Sequence, residues 1–338
     1  MISIILAVYN GERFLRECLE SLQNQTDCDL QFILIDDGST DNSGRICEEY
    51  VESDPRFLAF HTENRGLCKA REYGISIAVK QGAKYIGFVD SDDWLEPDMY
   101  SILLNAAEKA DADITECGYY REYPYLTEVC LPGESSANAG DALYDLLKGA
   151  PHDYVWNKLW RTELLAEFRF PMDGAYADDM AFTWRIYTRV RSVIGVGKPL
   201  YHYRQVKTSI AHAHNMNLVN RWKVVLNRYN GLMGKPKTLM TDVQWEQVRK
   251  NQLRSCVFVA GKNWLHWLEY PKNQREKCYG ELLEMSRFVR ENVSAFGEKD
   301  WELPLRVCAF LTRNPSIVSL LLARAVNALA PGHRKVLY

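Results

Sequence analysis

The chain has 338 residues, of which 47% are hydrophobic and 25% are charged, and this is the composition of an ordinary globular protein. The formal net charge is −3, so the charge balance does not favour a nucleic-acid-binding protein. Nine cysteines are scattered without a C-x-x-C pair, which gives little support to a zinc site or a redox dithiol. We expect them to be small buried side chains in a reducing compartment.

The first predicted element is a strand from Ile2 to Val8. This apolar run has no preceding basic segment and stops at Tyr9-Asn10-Gly11, which is typical of a buried strand and not of a signal peptide. Nowhere do 18 uninterrupted apolar residues occur, so the sequence predicts no transmembrane helix. We therefore expect a cytoplasmic protein.

Strand and helix patterns then alternate along the N-terminal part of the chain. Asn10 is the predicted cap of the first helix, and Pro97 is well placed at the start of a later one. After the first strand, buried strands are predicted at 32–35, 57–60, 85–89 and 114–119. This alternation predicts an α/β fold with a mostly parallel, doubly wound sheet and helices on both faces.

The pattern loosens after Tyr120. Short helices are predicted at 141–148 and 179–187, and short strands at 193–196 and 200–203. From about Leu218 the sequence is helical and rich in Trp, Arg and Lys, without a strand pattern. We therefore predict an α/β domain over 1–214 and a helical C-terminal region over 215–338.

Two acidic clusters directly follow predicted strands, Asp36-Asp37 and Asp90-Ser91-Asp92-Asp93. Ligands of a doubly wound sheet bind beyond the carboxyl ends of its strands, so we expect both clusters on one rim. Alternate residues of an extended segment point to the same side, which directs Asp90 and Asp92 towards one point. Such close carboxylates favour a hard divalent cation, Mn²⁺ or Mg²⁺, that keeps positions open for phosphate oxygens. An isolated D-x-D is more often a solvated, helix-capping turn, but the buried strand, the shared rim and the adjacent Trp94 favour a metal site.

Four segments in series resemble the family 2 glycosyltransferases of the GT-A fold. They occur in the family's order and spacing: Ser3 to Asn10, Ile35 to Ser43, Asn64 to Leu67 with Ala70-Arg71, and Phe88 to Trp94. Weaker matches resemble acceptor-side motifs of bacterial capsule and exopolysaccharide transferases: Trp156 to Trp160, Ala177 to Phe182, and Tyr203-Arg204 with Ser209-Ile210. The resemblance thins after about residue 215.

The resemblance implies a binding site for the donor nucleotide. Ala7 and Tyr9 would line the nucleoside pocket. Asp37, with Asp36 beside it, would hydrogen-bond the base, which is expected to be uracil. Arg71 would reach towards the nucleotide phosphates, where a cation neutralises the charge of the leaving diphosphate.

Within the second cluster the resemblance implies a division of roles. Asp90 would approach the ribose or the sugar, and Asp92 would ligate the metal. His212 is a second candidate ligand, although a lone His is more often structural. The other implied nucleotide-sugar contacts are Ser91, Asp93, Arg204 and Ser209, of which the last two belong to a loop that closes over the diphosphate.

A transferase of this kind needs a general base for the acceptor hydroxyl, and Asp178-Asp179 is the candidate. The family usually has Glu-Asp here, whereas this chain has Asp-Asp, with Phe182 in the place of the family's aromatic residue. The second acid aligns with the base, which favours Asp179; two acids at a helix N-terminus are the structural alternative. Weaker candidates for contact with acceptor or phosphate are Trp156, Asn157 and Lys158, although Lys158 could equally be a scaffold residue.

The implied function is an inverting hexosyltransferase that moves a sugar from a UDP-sugar to a hydroxyl of a glycan or lipid-linked glycan in cell-surface polysaccharide synthesis. The alternative is an inactive nucleotide-sugar-binding scaffold, against which the intact Asp92 and Asp179 argue. The motifs of dinucleotide-binding oxidoreductases and P-loop NTPases are absent from the sequence. A basic amphipathic pattern between Leu305 and Leu329 predicts C-terminal helices that contact the inner face of the membrane. The alternative is a helix packed on its own domain or on a second subunit.

Overall fold

The computed structural model describes residues 1–26, 29–131, 138–148, 153–170, 178–205, 218–235, 239–267, 272–293 and 303–313. The chain divides into two compact units, Met1–Ser209 and Ile210–Tyr338. Two predicted site residues, Ser209 and His212, lie outside the described residues, as does most of the predicted amphipathic tail.

Among the described residues, the first unit contains a nine-stranded sheet whose first half is parallel. In sheet order this half consists of β3 (Phe57–His61), β2 (Leu30–Asp36), β1 (Ile2–Val8) and β4 (Tyr85–Asp90). Val8 of β1 pairs with Asp36, and Ala7 pairs with Asp90. The carboxyl ends of β1, β2 and β4 therefore meet at one rim, and both acidic clusters begin there as the sequence predicts.

Helices cover both faces of this parallel half. Successive side chains of β1 point to opposite faces. Ile4 and Leu6 share the apolar core with buried residues of α1 (Glu12–Gln23), α2 (Ser43–Ser53) and α4 (Met99–Ala110). On the other face α3 (Leu67–Lys80) approaches so closely that a Cβ on Gly74 would lie 2.4 Å from Ile5.

The second half of the sheet is mixed. β8 (Lys158–Arg161) is antiparallel to β4 and to β6 (Ile114–Tyr123), and β7 (Leu126–Cys130) is antiparallel to β6. β9 (Val193–Arg204) runs parallel to β6, with β5 (Trp94–Leu95) antiparallel to its end. The two short strands predicted at 193–196 and 200–203 are thus one strand, whose pairing with β6 is irregular near Gly118. The sequence did not predict β5, β7 or β8, because elements of two to five residues carry too little periodicity.

The predicted cap of the first helix is wrong. Gly11 occupies the N-cap position of α1. Asn10 instead has a positive φ of 49°, and its side-chain oxygen accepts a hydrogen bond from the backbone N–H of Thr40 at 2.8 Å. Asn10 therefore ties the end of β1 to the loop that follows β2.

Three further helices complete the described part of the first unit: α5 (Ala139–Leu147), α6 (Thr162–Ala166) and α7 (Asp178–Tyr187). The second unit is helical, as predicted, with α8 (Leu218–Met233), α9 (Asp242–His266), α10 (Lys272–Val293) and α11 (Leu303–Arg313). A capping box of Thr241 and Gln244 begins α9. No helix within the described ranges is both long and apolar enough to cross a membrane.

Candidate active site

Asp37 follows β2 and fixes the loop between β3 and α3. Its side chain is buried, and its two carboxylate oxygens accept the backbone N–H groups of Arg65 and Gly66 at 2.9 and 2.8 Å. Its own N–H donates to the carbonyl of Val8 at 2.9 Å. Hydrogen bonds from backbone N–H groups to a carboxylate are charge-assisted and strong, so this acid organises the rim around it.

Asp36, the last residue of β2, is also surrounded by donors. One oxygen accepts the N–H of Ser39 at 3.0 Å, and the other lies 2.8 Å from Nδ1 of His61. Burial opposes ionisation of this acid, but the hydrogen bonds from Ser39 and His61 outweigh it and lower the pKa of Asp36. Nε2 of His61 lies 2.6 Å from Glu48 on α2, and these two carboxylates raise the pKa of His61.

The second cluster forms a tight turn after β4, closed by a hydrogen bond from the N–H of Asp93 to the carbonyl of Asp90 at 3.1 Å. Asp93 is only 1% exposed. One of its oxygens accepts from the Tyr201 hydroxyl at 2.7 Å and the other from the N–H of Arg204 at 2.8 Å. The Tyr201 hydroxyl in turn accepts the N–H of Asp90 at 3.2 Å. Both ends of the turn are therefore fastened to β9.

Asp93 has a structural role in this arrangement. Burial, together with the charges of Asp92 and Asp90, raises the pKa of Asp93 well above its usual range. Both of its oxygens accept hydrogen bonds from β9, so Asp93 holds the turn against that strand. Its expected contact with the donor sugar stays a prediction.

Asp92 is different, because it is half-buried and its carboxylate lacks a partner side chain among the described residues. Burial, followed by the charge of Asp90, raises the pKa of Asp92 to about 6. An acid in this state is stabilised by a cation, and carboxylate oxygen is the donor that Mg²⁺ and Mn²⁺ prefer. No group of three His, Cys, Asp or Glu side chains in the described part converges on a metal position. Within this turn, Asp92 is the residue that could hold a divalent cation.

Arg71 joins this turn to α7. It lies in α3 and is 2% exposed. Nη2 donates to Oδ1 of Asp90 at 2.8 Å, and Nη1 donates to Oδ1 of Asp179 at 2.6 Å. Its guanidinium carbon lies 5.9 Å from the ring centroids of both Phe88 and Phe170. Both ends of the guanidinium are used, so the expected reach of Arg71 to phosphate is replaced here by a bridge between two acids.

In this bridge the buried guanidinium of Arg71 lies between two carboxylates. Burial opposes the charge of Arg71, but Asp179 and Asp90 outweigh it and raise the pKa of Arg71. Burial raises the pKa of Asp90, with Arg71 opposing and Asp179 adding to the rise. The second oxygen of Asp179 accepts the N–H of Val155 at 3.2 Å. Asp179 is thereby oriented next to Asp90. The side chain of Asp178 lies outside the described part of the structure.

Arg204, at the end of β9, contacts the turn formed by Asp90 to Asp93, which we call the acid turn. Its guanidinium carbon lies 4.3 Å from the ring centroid of Trp94 and 4.6 Å from that of Phe14. Nε donates to the backbone carbonyl of Asp92 at 2.8 Å, and Nη2 donates to Glu17 at 2.5 Å. In this arrangement Arg204 fixes the position of Asp92.

The segment Trp156-Asn157-Lys158 requires a correction. All three side chains are buried, and Lys158 is 0% exposed. Nζ of Lys158 donates to the Tyr154 carbonyl and to Oδ1 of Asn157, both at 2.8 Å, and lies 3.3 Å from Glu116. These groups hold β8 and β6 together, so direct contact with acceptor or phosphate is closed to them by burial.

The remaining predicted contacts lie at the open part of the rim. Ala7 is half-buried beside Asp90, and the side chain of Tyr9 is exposed. Ser91 faces Gly11, where an added Cβ would come within 3.2 Å of the Ser91 hydroxyl oxygen. The structure thus brings Ala7 and Ser91 to the same edge as Asp90.

Several residues that build this site were not identified from the sequence. Tyr201 fastens the acid turn, Phe170 packs on Arg71, and His202 stacks on Trp94 at 4.7 Å. The alternation of Tyr201 and Tyr203 along β9 was the available signal, because alternate strand residues point to one face. Which acids they would meet depends on the pairing of β5 and β9, which the sequence does not reveal.

Comparisons with known proteins agree with this architecture. Residues 3–130 match the sequence model of Glycosyl transferase family 2. EpsJ of Bacillus subtilis strain 168, described as an uncharacterized glycosyltransferase, is 34% identical over 250 residues, covering 69% of this chain and 72% of EpsJ. EpsH of the same strain is 36% identical over 226 residues, and the match covers 64% of either protein.

Among solved structures, residues 1–349 of S. aureus TarS in complex with UDP-GlcNAc superpose with a TM-score of 0.71 at 18% identity. The alignment covers 97% of this chain and 92% of that one. At this identity the likeness concerns the fold, which is the GT-A fold followed by a helical C-terminal region. The chain belongs to glycosyl transferase family 2.

Proposed function

We propose that this protein transfers a sugar from a UDP-sugar to a hydroxyl group of a glycan or lipid-linked glycan in cell-surface polysaccharide synthesis. The observation that carries the proposal is the bridge made by Arg71. It joins Asp90, the last residue of β4 in the parallel half of the sheet, to Asp179, which lies in α7. Two acids from distant parts of the chain therefore meet where a donor and an acceptor would react.

The donor nucleoside is assigned to the open rim beside Ala7, Tyr9 and Asp37. Each carboxylate oxygen has two acceptor positions, so Asp37 can accept from a base N–H while it still holds the N–H groups of Arg65 and Gly66. Uracil offers such an N–H donor. The complex of TarS with UDP-GlcNAc, on the same fold, supports a UDP-sugar.

A divalent cation, Mn²⁺ or Mg²⁺, fits the second cluster, with Asp92 as its protein ligand. The fit rests on the raised pKa of Asp92, about 6, and on the lack of a partner side chain for it in the described residues. When bound, the cation supplies positive charge opposite the diphosphate of the leaving group. The task of Arg204 is to hold the backbone of Asp92 in place.

Asp179 is the proposed general base. Arg71 occupies its Oδ1 and the N–H of Val155 reaches its Oδ2, so the carboxylate is oriented, and lone pairs remain to accept a proton. The acceptor oxygen would attack the anomeric carbon as it loses its proton to Asp179. In the same displacement the bond from the anomeric carbon to the nucleoside diphosphate would break, which inverts the anomeric centre.

The test is release of UDP from a panel of UDP-hexoses and UDP-N-acetylhexosamines with Mn²⁺, measured with and without sugar acceptors. We expect one donor to give acceptor-stimulated UDP release that EDTA suppresses. The Asp179→Asn variant is the control, since it should bind the same donor without transfer. Donor binding with no UDP release from any donor would instead favour an inactive nucleotide-sugar-binding scaffold.

A further inference from the structure

Two tyrosines, Tyr154 and Tyr203, are neighbours, along the chain, of residues that bind the proposed base and the acid turn. Tyr154 directly precedes Val155, whose N–H donates to Oδ2 of Asp179 at 3.2 Å. Tyr203 directly precedes Arg204, whose N–H donates to Oδ1 of Asp93 at 2.8 Å. Each tyrosine is therefore one residue away from a backbone group that is hydrogen-bonded to an acid of the site.

The rings of these tyrosines pack against buried aromatic side chains. Their centroids are 5.9 Å apart, at an interplanar angle of 52°. Trp156, which is 2% exposed, stacks on Tyr154 at 4.5 Å and lies 5.2 Å from Tyr203. Tyr119 meets Tyr154 edge-on at 5.7 Å. Trp156 and Tyr119 are buried, whereas Tyr154 and Tyr203 each keep part of their surface exposed.

The acids of the site also affect the pKa of both tyrosines. Burial raises the pKa of Tyr154, and Asp179 is among the charges that add to the rise. Burial also raises the pKa of Tyr203, with contributions from Tyr154, Asp93 and Asp90. Both phenols therefore stay neutral at physiological pH. They present apolar ring surface with a hydroxyl at its edge, and such amphipathic surface suits a sugar ring, which has apolar C–H faces and hydroxyls around its rim.

We propose that Tyr154 and Tyr203 form the platform on which a pyranose ring of the acceptor binds, with its reactive hydroxyl directed to Asp179. This proposal rests on the proposed function. The donor is assigned to Asp37 and Asp92, so the surface next to Asp179 falls to the acceptor. The chemical class of the ligand is a pyranoside, since the platform offers aromatic faces and hydroxyls. Arg121, which donates to the Tyr119 hydroxyl at 3.2 Å, borders it.

The test measures binding of methyl β-glucoside, methyl β-galactoside and methyl β-N-acetylglucosaminide to the full chain with UDP and Mn²⁺, by saturation-transfer NMR. We expect at least one glycoside to bind the wild type. Tyr154→Ala and Tyr203→Ala should each weaken that binding about tenfold, which is the loss of one aromatic contact of about 1.4 kcal/mol. Affinity for UDP is measured on the same variants, to separate loss of the aromatic contact from damage to the donor site.

Tyr154→Phe and Tyr203→Phe keep the rings and should retain most of the glycoside affinity. Tyr125→Ala, at the fully exposed tip between β6 and β7, is the matched control and should change nothing. If a Tyr→Ala variant does not fold, the Phe variants are compared with Tyr154→Leu and Tyr203→Leu, which keep bulk without an aromatic face.

Two results would overturn the platform. One is wild-type glycoside affinity in the folded Ala or Leu variants, and the other is failure of all three glycosides to bind the wild type. Either result leaves the proposed function standing if the wild type still shows acceptor-stimulated UDP release. Absence of that release, with glycosides bound, would reject the proposed function and not the pyranoside site.

Discussion

The two acidic clusters share one rim of the sheet, yet their surroundings shift the pKa of acids within them in opposite directions. Asp36 and Asp37 are surrounded by hydrogen-bond donors, and the pKa of Asp36 is lowered. In the turn after β4, burial dominates and raises the pKa of Asp90, Asp92 and Asp93. Both acids of the first cluster accept hydrogen bonds within the chain, whereas Asp92 of the second cluster lacks a side-chain hydrogen bond among the described residues.

The difference shows which acids already have partners within the chain. Within the second cluster the protein supplies partners for Asp93 through β9 and for Asp90 through Arg71. Asp92 lacks a side-chain hydrogen bond among the described residues, which is why the proposed cation is assigned to it. Acids of the first cluster should therefore matter for folding as well as for the base contact proposed for Asp37, while Asp92 should matter for ligand binding alone.

The largest effect on activity is expected at Asp179, which is linked to Asp90 of the second cluster by Arg71. Asp179→Asn removes the proposed base, and sugar transfer should fall by about 10³-fold, within the range of general base catalysis. Donor binding should be kept, because Asp179 lies outside the assigned donor contacts. Steady-state kinetics and donor titration of one preparation measure both. Turnover within about threefold of wild type would remove Asp179 from the mechanism.

Arg71→Met should be the most destabilising change. It leaves Asp90 and Asp179 partly buried and without their shared cation, which typically costs about 3 kcal/mol or more. Urea unfolding measures the loss in the free energy of unfolding. The double variant Arg71→Met/Asp90→Asn removes one of the stranded charges and should recover part of it. A loss below about 1 kcal/mol would mean that the bridge is not a buried ion pair in solution.

The comparison of the clusters is sharpest between Asp37→Asn and Asp92→Asn in metal-free buffer. An Asn at 37 turns an amide N–H₂ towards a backbone N–H, so we expect a loss of about 2 kcal/mol in the free energy of unfolding. At position 92 the same change removes a carboxylate whose ionisation burial disfavours, so stability should be unchanged or slightly higher at neutral pH. Thermal unfolding of both variants checks this contrast. Equal destabilisation would erase the distinction between the clusters.

The smallest expected effect is a pH dependence of stability at His61, which contacts Asp36 of the first cluster. Asp36 and Glu48 raise the pKa of His61 in the folded protein. Its stabilising contribution is therefore complete below the unfolded-state pKa of about 6.5 and is lost as pH rises through the higher folded-state pKa. His61→Gln should lower the urea midpoint at about pH 5.5 and much less at about pH 8.5. A difference between variant and wild type that grows with pH would contradict this sign.

Particular residues show how far sequence reasoning reaches. The strands β1 to β4 follow from apolar runs, and the shared rim follows from the acids that end β2 and β4; these were predicted. Trp156, Asn157 and Lys158 carry a motif that resembles an acceptor contact, but their burial is set by pairing with β4 and β6. The partners of Arg71 are similarly hidden, because Asp179 comes from a helix far along the chain. Long-range pairing decides these features, and local pattern does not encode it.

Binding of UDP to the wild type and to Asp92→Asn, by calorimetry with Mn²⁺ and with EDTA, tests the proposed metal site most directly. We predict that the wild type binds in Mn²⁺ and loses at least about tenfold in affinity in EDTA. Asp92→Asn should bind equally weakly in both buffers while its thermal stability stays that of wild type. Wild-type affinity of Asp92→Asn in Mn²⁺ would contradict the assignment of Asp92 as the ligand of the donor-bound cation.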